Sequence, residues 1–298
     1  ITAGGLTTVY LAQAETWNGS SWTEVSDLNE GRLAAGLSGA SNTAAIAFGG
    51  EEPPGSNVAS NESWNGSSWT EVNDLNTARY YAAGTGTQTA ALAITGLPAT
   101  PNPVESWNGS SWTEIAELNT ARGGVGAAGT TTSSIVAGGS SAASEVEIWN
   151  GSSWTETTDL NTGRSEPGRA GPNSTSALIF GGGEPSLSAK TESWDGSSWT
   201  EVNDLATARN QGSGSGASNS AAVMAGGGTP SVTASTELWT FSGIDPSTTP
   251  AADYADAIIG DFYYNSTTGQ FRTISDGGAP VGTWASGGNM NTTRGNGL

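Results

Sequence analysis

The side chains of this chain that could do chemistry are carboxylates and guanidiniums, because there is little else. The sequence carries 28 Asp and Glu against nine Lys and Arg, and has neither histidine nor cysteine. The commonest general base, the commonest metal ligand and the thiol nucleophile are therefore all missing. Three chemistries stay open on paper. A pair of carboxylates could run acid–base hydrolysis, carboxylate and carbonyl oxygens could hold a hard cation, and clustered arginines could grip an anion.

The arrangement of these residues argues for structure instead. Arg32, Arg79, Arg122, Arg164, Arg209 and Arg294 recur in one sequence context, each five residues after Asp27, Asp74, Glu117, Asp159, Asp204 and, in the last case, Asn289. A recurring basic residue is expected to tie down a link between units by binding carbonyls or that acid; the alternative is a ring of arginines acting as an anion site. Only Arg169 and Arg272 among the arginines fall outside these positions. No loop alternates acids around a central glycine in the way a calcium loop does, and neither a metal nor a cofactor is expected. The net charge of −19 disfavours nucleic acid and anionic membranes as partners. No run of 18 apolar residues could form a spanning helix. The chain begins at Ile1, and we expect it to be a processed product or an excerpt of a longer polypeptide.

What must position these groups is a repeat. All 12 tryptophans fall into pairs: Trp17/Trp22, Trp64/Trp69, Trp107/Trp112, Trp149/Trp154, Trp194/Trp199 and the split pair Trp239/Trp284. The last pair is recognised because "WASGGNMNTTR" (284–294) aligns without a gap onto "WTEVNDLNTAR" (69–79). Each unit has a stretch of small residues after the arginine, an apolar run ending in glycines, a variable loop, then Glu-x-Trp-Asn-Gly-Ser-Ser-Trp-Thr-Glu. Short segments separated by turn signals predict four strands per unit. Asn-Gly predicts a two-residue hairpin turn, which would pair Trp64 with Ser67 and Glu62 with Trp69. Glu62, Trp64, Trp69 and Glu71 then share one bulky face, with Ser63, Ser68, Thr70 and Val72 on a small one. Such sheets stack bulky face on small face around a ring, so the tryptophans read as structural. The "NGS" triplets at 18, 65, 108 and 150 match a glycosylation sequon, but the turn already accounts for them.

The diglycine in "IFGG" (179–182), the Glu-x-aromatic and second tryptophan of "TESWDGSSWTEV" (191–202), and "DLATAR" (204–209) resemble the kelch repeat. The resemblance covers nearly the whole chain outside 241–283 and implies a β-propeller. Six units imply an all-β, six-bladed kelch-like propeller of four-stranded antiparallel blades over residues 1–298. The opening "ITAGG" and closing "RGNGL" are expected to pair and close the ring, while 241–283 is an insertion with a hairpin, "DFYYN" and "QFRTI", inside the sixth blade. The third unit has Thr95-Gly96 for diglycine, which predicts an irregular strand end.

The wording of the repeats also resembles propellers of tailed, especially marine, bacteriophages, and the insertion resembles hairpins of tail-fibre and other virion proteins. That implies a non-catalytic virion module contacting a host-surface glycan or protein or another virion protein, as part of a homo-oligomeric fibre. The rival is a secreted or cell-surface bacterial adhesin or carbohydrate-binding propeller. A third reading is a sialidase-like glycosidase, since Ser193-x-Asp195-Gly196-x-x-Trp199 is superficially similar to an Asp box, although one residue short. Recognition is expected in the variable loops of one face, with Glu51, Glu52, Asn57, Asn102, Glu184, Lys190 and Thr229 as the candidate contacts.

Overall fold

The computed structural model describes residues 1–98, 102–140, 144–183, 186–241, 262–265, 270–273 and 282–295. The fold is all β, a six-bladed propeller, with no helix among the described residues. In the second blade the strands Gly36–Ser41, Ala44–Phe48, Asn61–Trp64 and Trp69–Val72 pair in chain order from the axis outward. The third, fourth and fifth blades repeat that order, beginning at Ala83–Thr87, Gly126–Thr130 and Gly168–Asn173. The sixth runs Ser213–Ser218, Ala221–Ala225, Thr236–Phe241 and then Gly282–Ser286, so residues 242–281 lie between its last two strands. Trp239 pairs directly with Trp284, which confirms the split pair. Phe262–Asn265 and Gln270–Thr273 form the expected hairpin.

The first blade has three strands among the described residues, Thr2–Ala3, Ala14–Trp17 and Trp22–Val25. The other end of the chain arrives beside this blade. Leu6 donates its amide to the Gly295 carbonyl at 2.9 Å and accepts from the Gly295 amide at 3.1 Å. The same reciprocal bridge recurs as Leu33–Glu51 and Ser165–Gly183, so the chain ends meet where the pattern of the other blades requires.

Each strand's composition follows from its distance to the axis. The second strands are covered on both faces by neighbouring blades, and so read as continuous small apolar runs: Ala45, Ile46, Ala47 and Phe48 are fully buried. The axial strands crowd together, and a Cβ on Gly84 would sit 2.2 Å from the Leu37 carbonyl oxygen. The glycines of the axial strands, such as Gly84 and Gly214, follow from that convergence. The outer strands are buried mainly at their tryptophan, as in Trp69–Val72, where a buried tryptophan is followed by exposed Thr70 and Glu71.

The hairpin between the outer strands corrects one expectation. Trp64 pairs with Trp69 and Glu62 with Glu71, so the turn has four residues rather than two. The reason is the asparagine side chain: Asn65 Oδ1 accepts from the amides of Ser67 and Ser68 at 2.9 and 3.0 Å, while Gly66 takes φ +94°. A register change of two residues leaves every side chain on its face, so the bulky and small faces stand as read.

Those faces do stack. Trp64 and Trp69 pack on Ala3, Ala14 and Leu28 of the first blade, and Trp149 and Trp154 on Leu92, Ile94 and Leu118 of the third. The ring shuts the same way, with Trp17 and Trp22 against Ala225 and Met290 of the sixth. Indole centroids within each pair lie 5.1 to 5.5 Å apart, inside the range for favourable ring contact. The leading indole of a pair donates to its own blade, as Trp194 does to the Ser174 carbonyl at 2.9 Å. The second can reach the preceding blade, as Trp154 and Trp199 do to the Ala116 and Thr158 carbonyls, both at 3.0 Å.

Trp112 is structural as read, but it bonds differently from Trp154 and Trp199. Its ring is buried and meets Phe48 of the preceding blade edge-on, with centroids 5.2 Å apart. Its indole N–H, however, has no acceptor among the described residues. The repeat shows where an acceptor would stand. The acceptors of Trp154 and Trp199 lie four residues after the previous unit's second tryptophan, which for Trp112 is the Asn73 carbonyl. The Asn61 side chain donates to that carbonyl at 3.1 Å, from a strand position where the other units carry Val104, Val146 or Thr191. Trp112 therefore contributes packing without the hydrogen bond that a buried indole usually finds. Trp69 is likewise without an acceptor among the described residues.

Candidate functional site

The six repeat arginines are consumed inside the structure, though not by the acids that precede them. Asp27, Asp74, Glu117, Asp159 and Asp204 are all exposed. Each arginine instead meets the glutamate of the next unit's Glu-x-Trp: Arg32 with Glu62, Arg79 with Glu105 at 2.9 Å, Arg122 with Glu147 at 2.6 Å, Arg164 with Glu192, and Arg209 with Glu237. Arg294 reaches across the closure to Glu15 at 2.6 Å. Both partners are at most 5% exposed throughout.

A buried ion pair is tolerable only when the remaining lone pairs and protons are also satisfied. Here they are in part, since a guanidinium nitrogen on each of Arg32, Arg79, Arg122 and Arg294 has no acceptor among the described residues. Glu147 Oε2 accepts from the Asn119 amide and side chain, both at 2.8 Å, and Arg122 also donates to the Gly138 and Thr120 carbonyls. The expected carbonyl contacts are therefore present. At Arg79, Arg164 and Arg294 burial lowers the guanidinium pKa, opposed by the neighbouring glutamate. This accounts for six of the chain's eight arginines as clamps between blades.

The candidate loop contacts separate. Glu51 and Glu52 pair with Asn57 and Ser56 in a two-stranded hairpin that projects beyond the second blade. Glu51 accepts a hydrogen bond from the Tyr10 hydroxyl at 2.7 Å, and Asn57 is exposed. Lys190 is held by Glu201 at 2.8 Å in an exposed pair, and Thr229 closes a turn on the Ser231 carbonyl. Asn102 is a correction: it is 4% exposed and donates to the Leu118 carbonyl at 3.3 Å, so it braces its loop instead of facing a partner. Glu184 lies outside the described residues.

A second set of residues escaped the sequence reading. The position two after the first five repeat arginines holds Ala34, Tyr81, Gly124, Glu166 and Gln211, the sixth lying outside the described residues, and all five take a left-handed backbone with φ between 52° and 63°. Four are not glycine, and non-glycine residues at positive φ cost about 1–2 kcal/mol each. They ring the mouth of the central channel on the face that carries the variable loops. Backbone bonds pass from blade to blade along this ring, from the Tyr81 amide to the Ala34 carbonyl and from the Glu166 amide to the Gly124 carbonyl, both 2.7 Å. One backbone shape thus presents five different side chains. Gln211 donates to the Tyr81 hydroxyl oxygen at 2.9 Å, and Asn210 donates to Glu166 at 2.8 Å. Burial first, then the negative charge of Glu166, pushes the Tyr81 phenol well up, so it stays protonated at any physiological pH. The signal in sequence was a variable residue at a fixed distance from a constant arginine.

The third unit obeys the same economy. Thr95 and Gly96 take φ of +53° and +123°, matching Gly138 and Gly139 at +72° and +123°. The strand end expected to be irregular is regular, with Thr95 carrying the strain that glycine avoids elsewhere.

Below the mouth lies the channel itself, a cavity of about 500 Å³ walled by the axial strands and by Ile1, Trp17 and Trp22. Arg169 stands in this wall and also in that of a smaller cavity at the mouth. Among the described residues, no group of three or more His, Cys, Asp or Glu gathers as a metal would need.

No family model matches the chain, and no curated protein matches it either. A solved structure titled "Structure of YjhT" superposes with a TM-score of 0.65, covering 80% of this chain and 94% of that one at 12% identity. At that identity the likeness speaks for the fold alone.

Proposed function

We propose that the chain is a non-catalytic recognition and assembly module built of kelch-type units, of the virion tail-fibre kind that its repeats resemble. The observation that supports this reading most is the contrast between a constant frame and a variable face. Six equivalent Arg–Glu clamps hold the blades, while the mouth ring and the hairpin at Glu51–Asn57 change side chain from unit to unit. Recognition surfaces are commonly variable loops on a rigid scaffold. In each unit the glutamate of Glu-x-Trp is spent on a buried arginine and the remaining repeat acids face solvent, which is why catalysis is the weaker reading. Partners of this surface would be a host-surface glycan or protein, or a neighbouring virion protein in a homo-oligomeric fibre.

Mass spectrometry of purified particles from the source culture tests this directly. Peptides of this chain are expected at the abundance of a structural protein. Their absence from particles, with recovery from the secreted or cell-surface fraction, would replace the reading with that of a bacterial adhesin or carbohydrate-binding propeller.

A further inference from the structure

Seven of the eight arginines are described in side-chain detail, and six of those have a glutamate. The seventh, Arg169, has neither a hydrogen bond nor an ion pair among the described residues. It occupies the fifth position after Arg164, where the other axial strands carry Leu37, Gly84, Ala127 and Gly214. Only the fifth blade places a charge there.

Its surroundings make that charge costly. The channel wall contains Ser38, Thr85, Ser213, Ser215, glycines and alanines, and no aspartate or glutamate. Burial lowers the Arg169 pKa with no carboxylate opposing it, unlike the clamped arginines. Ser38, 5% exposed in the same wall, has a hydroxyl without a partner. The axial strands are also sheet edges, so part of their amides faces the channel instead of a neighbouring strand. The Arg169 side chain is half-buried and lines the open channel; a guanidinium confined there without an ion-pair partner favours an anion, and its planar fork matches an oxyanion in two-point fashion.

We propose that the central channel is an oxyanion site in which Arg169 holds a small carboxylate or sulfate, reached through the mouth ring of Tyr81, Glu166 and Gln211. The cavity, about 500 Å³, falls within the range of small-molecule sites, so the anion can carry an organic body. This site is separate from the loop surface, and its test does not depend on that surface having a partner.

Calorimetric titration of the whole chain with sodium sulfate, and separately with sodium acetate, in a chloride background of matched ionic strength is the experiment. Saturable binding is expected for at least one of them, with a melting temperature raised by about 4 °C at saturation. Arg169→Gln should weaken that affinity by at least about tenfold, and Arg169→Lys, which keeps the charge but loses the fork, by about tenfold. Glu71→Gln, exposed on the outer strand of the second blade, should leave it unchanged. A wild-type titration without saturable heat for either anion overturns the proposal whatever the variants do. So does a rise in melting temperature that is linear in salt and equal in wild type and Arg169→Gln, because that is the general effect of an excluded salt.

Discussion

Glu147→Ala should cost about 3–5 kcal/mol of folding stability, close to half of what an ordinary domain possesses. The reason is what the substitution leaves behind. Arg122 is fully buried, and without Glu147 its guanidinium keeps the carbonyls of Gly138 and Thr120 but loses its buried counter-charge. The Asn119 amide and side chain lose their acceptor in the same step. Glu145 stands 3.6 Å from Arg122 but is a third exposed, and it cannot take the place of a carboxylate that also serves Asn119. Glu147→Gln should not rescue the loss, since the new amide group would aim N–H donors at donors. Urea denaturation monitored by tryptophan fluorescence measures the cost. The contrasting case is Lys190→Ala. It breaks the pair with Glu201, whose partners are 40% and 48% exposed, and should change stability by no more than about 0.5 kcal/mol. Equal effects at the two pairs would mean that the buried clamps do not carry the blade junctions.

Trp194→Ala is the second large effect, at about 3–5 kcal/mol. Trp194 is fully buried and sits among Ile135, Ala137, Val146 and Leu160 of the preceding blade, with its indole N–H on the Ser174 carbonyl. Removing it opens a cavity at a junction where the partners are small and held by sheet pairing, so little can collapse into the space. Trp17→Ala should cost clearly less, because Trp17 is only half-buried at the closure. Thermal unfolding of the two variants side by side gives the comparison. If Trp17→Ala proved the more damaging, indole burial would not rank the junctions.

Repetition is what made the fold legible in sequence. Six copies of one pattern revealed the unit, its four strands and the split pair Trp239/Trp284, because agreement between copies separates constraint from accident. The side-chain faces were legible for a simpler reason: alternation survives any register change of two residues. The register itself was not, since the Asn65 side chain makes a four-residue turn out of a sequence that backbone rules read as two. Agreement between copies also hid a difference. Trp112 and Trp69 match their counterparts in sequence, yet their indole N–H groups find no acceptor among the described residues. The arginine partners were hidden because each clamp joins one unit to the next, 25 to 30 residues away, as Arg122–Glu147 and Arg32–Glu62 show. Nearness in sequence had pointed to Asp27 and its equivalents, which face solvent.

The candidate site was legible only in outline. That the second-to-third-strand loops share a face with the blade links followed from propeller topology, and Glu51 and Asn57 lie there. The mouth ring was not visible, because left-handed backbone at Tyr81, Glu166 and Gln211 breaks local preference and is imposed by the ring. Such departures from local rules concentrate at functional positions. Arg169 was marked in sequence as an arginine outside the repeat, but that it forms no ion pair among the described residues, even with Glu166 in the wall of the same mouth cavity, is a property of three dimensions.

The central claim is that six equivalent wedges close into a ring through buried Arg–Glu clamps, the last of which joins the two ends of the chain. Arg294 and Glu15 lie 279 residues apart in sequence and 2.6 Å apart in space. A double-mutant cycle with Arg294→Met, Glu15→Gln and the combination measures their coupling in urea unfolding. The account predicts a coupling energy of about 2 kcal/mol, with the double variant far less damaged than the sum of the single ones. A coupling within about 0.5 kcal/mol of zero would mean that the two residues act independently and that the ring is not closed by this clamp.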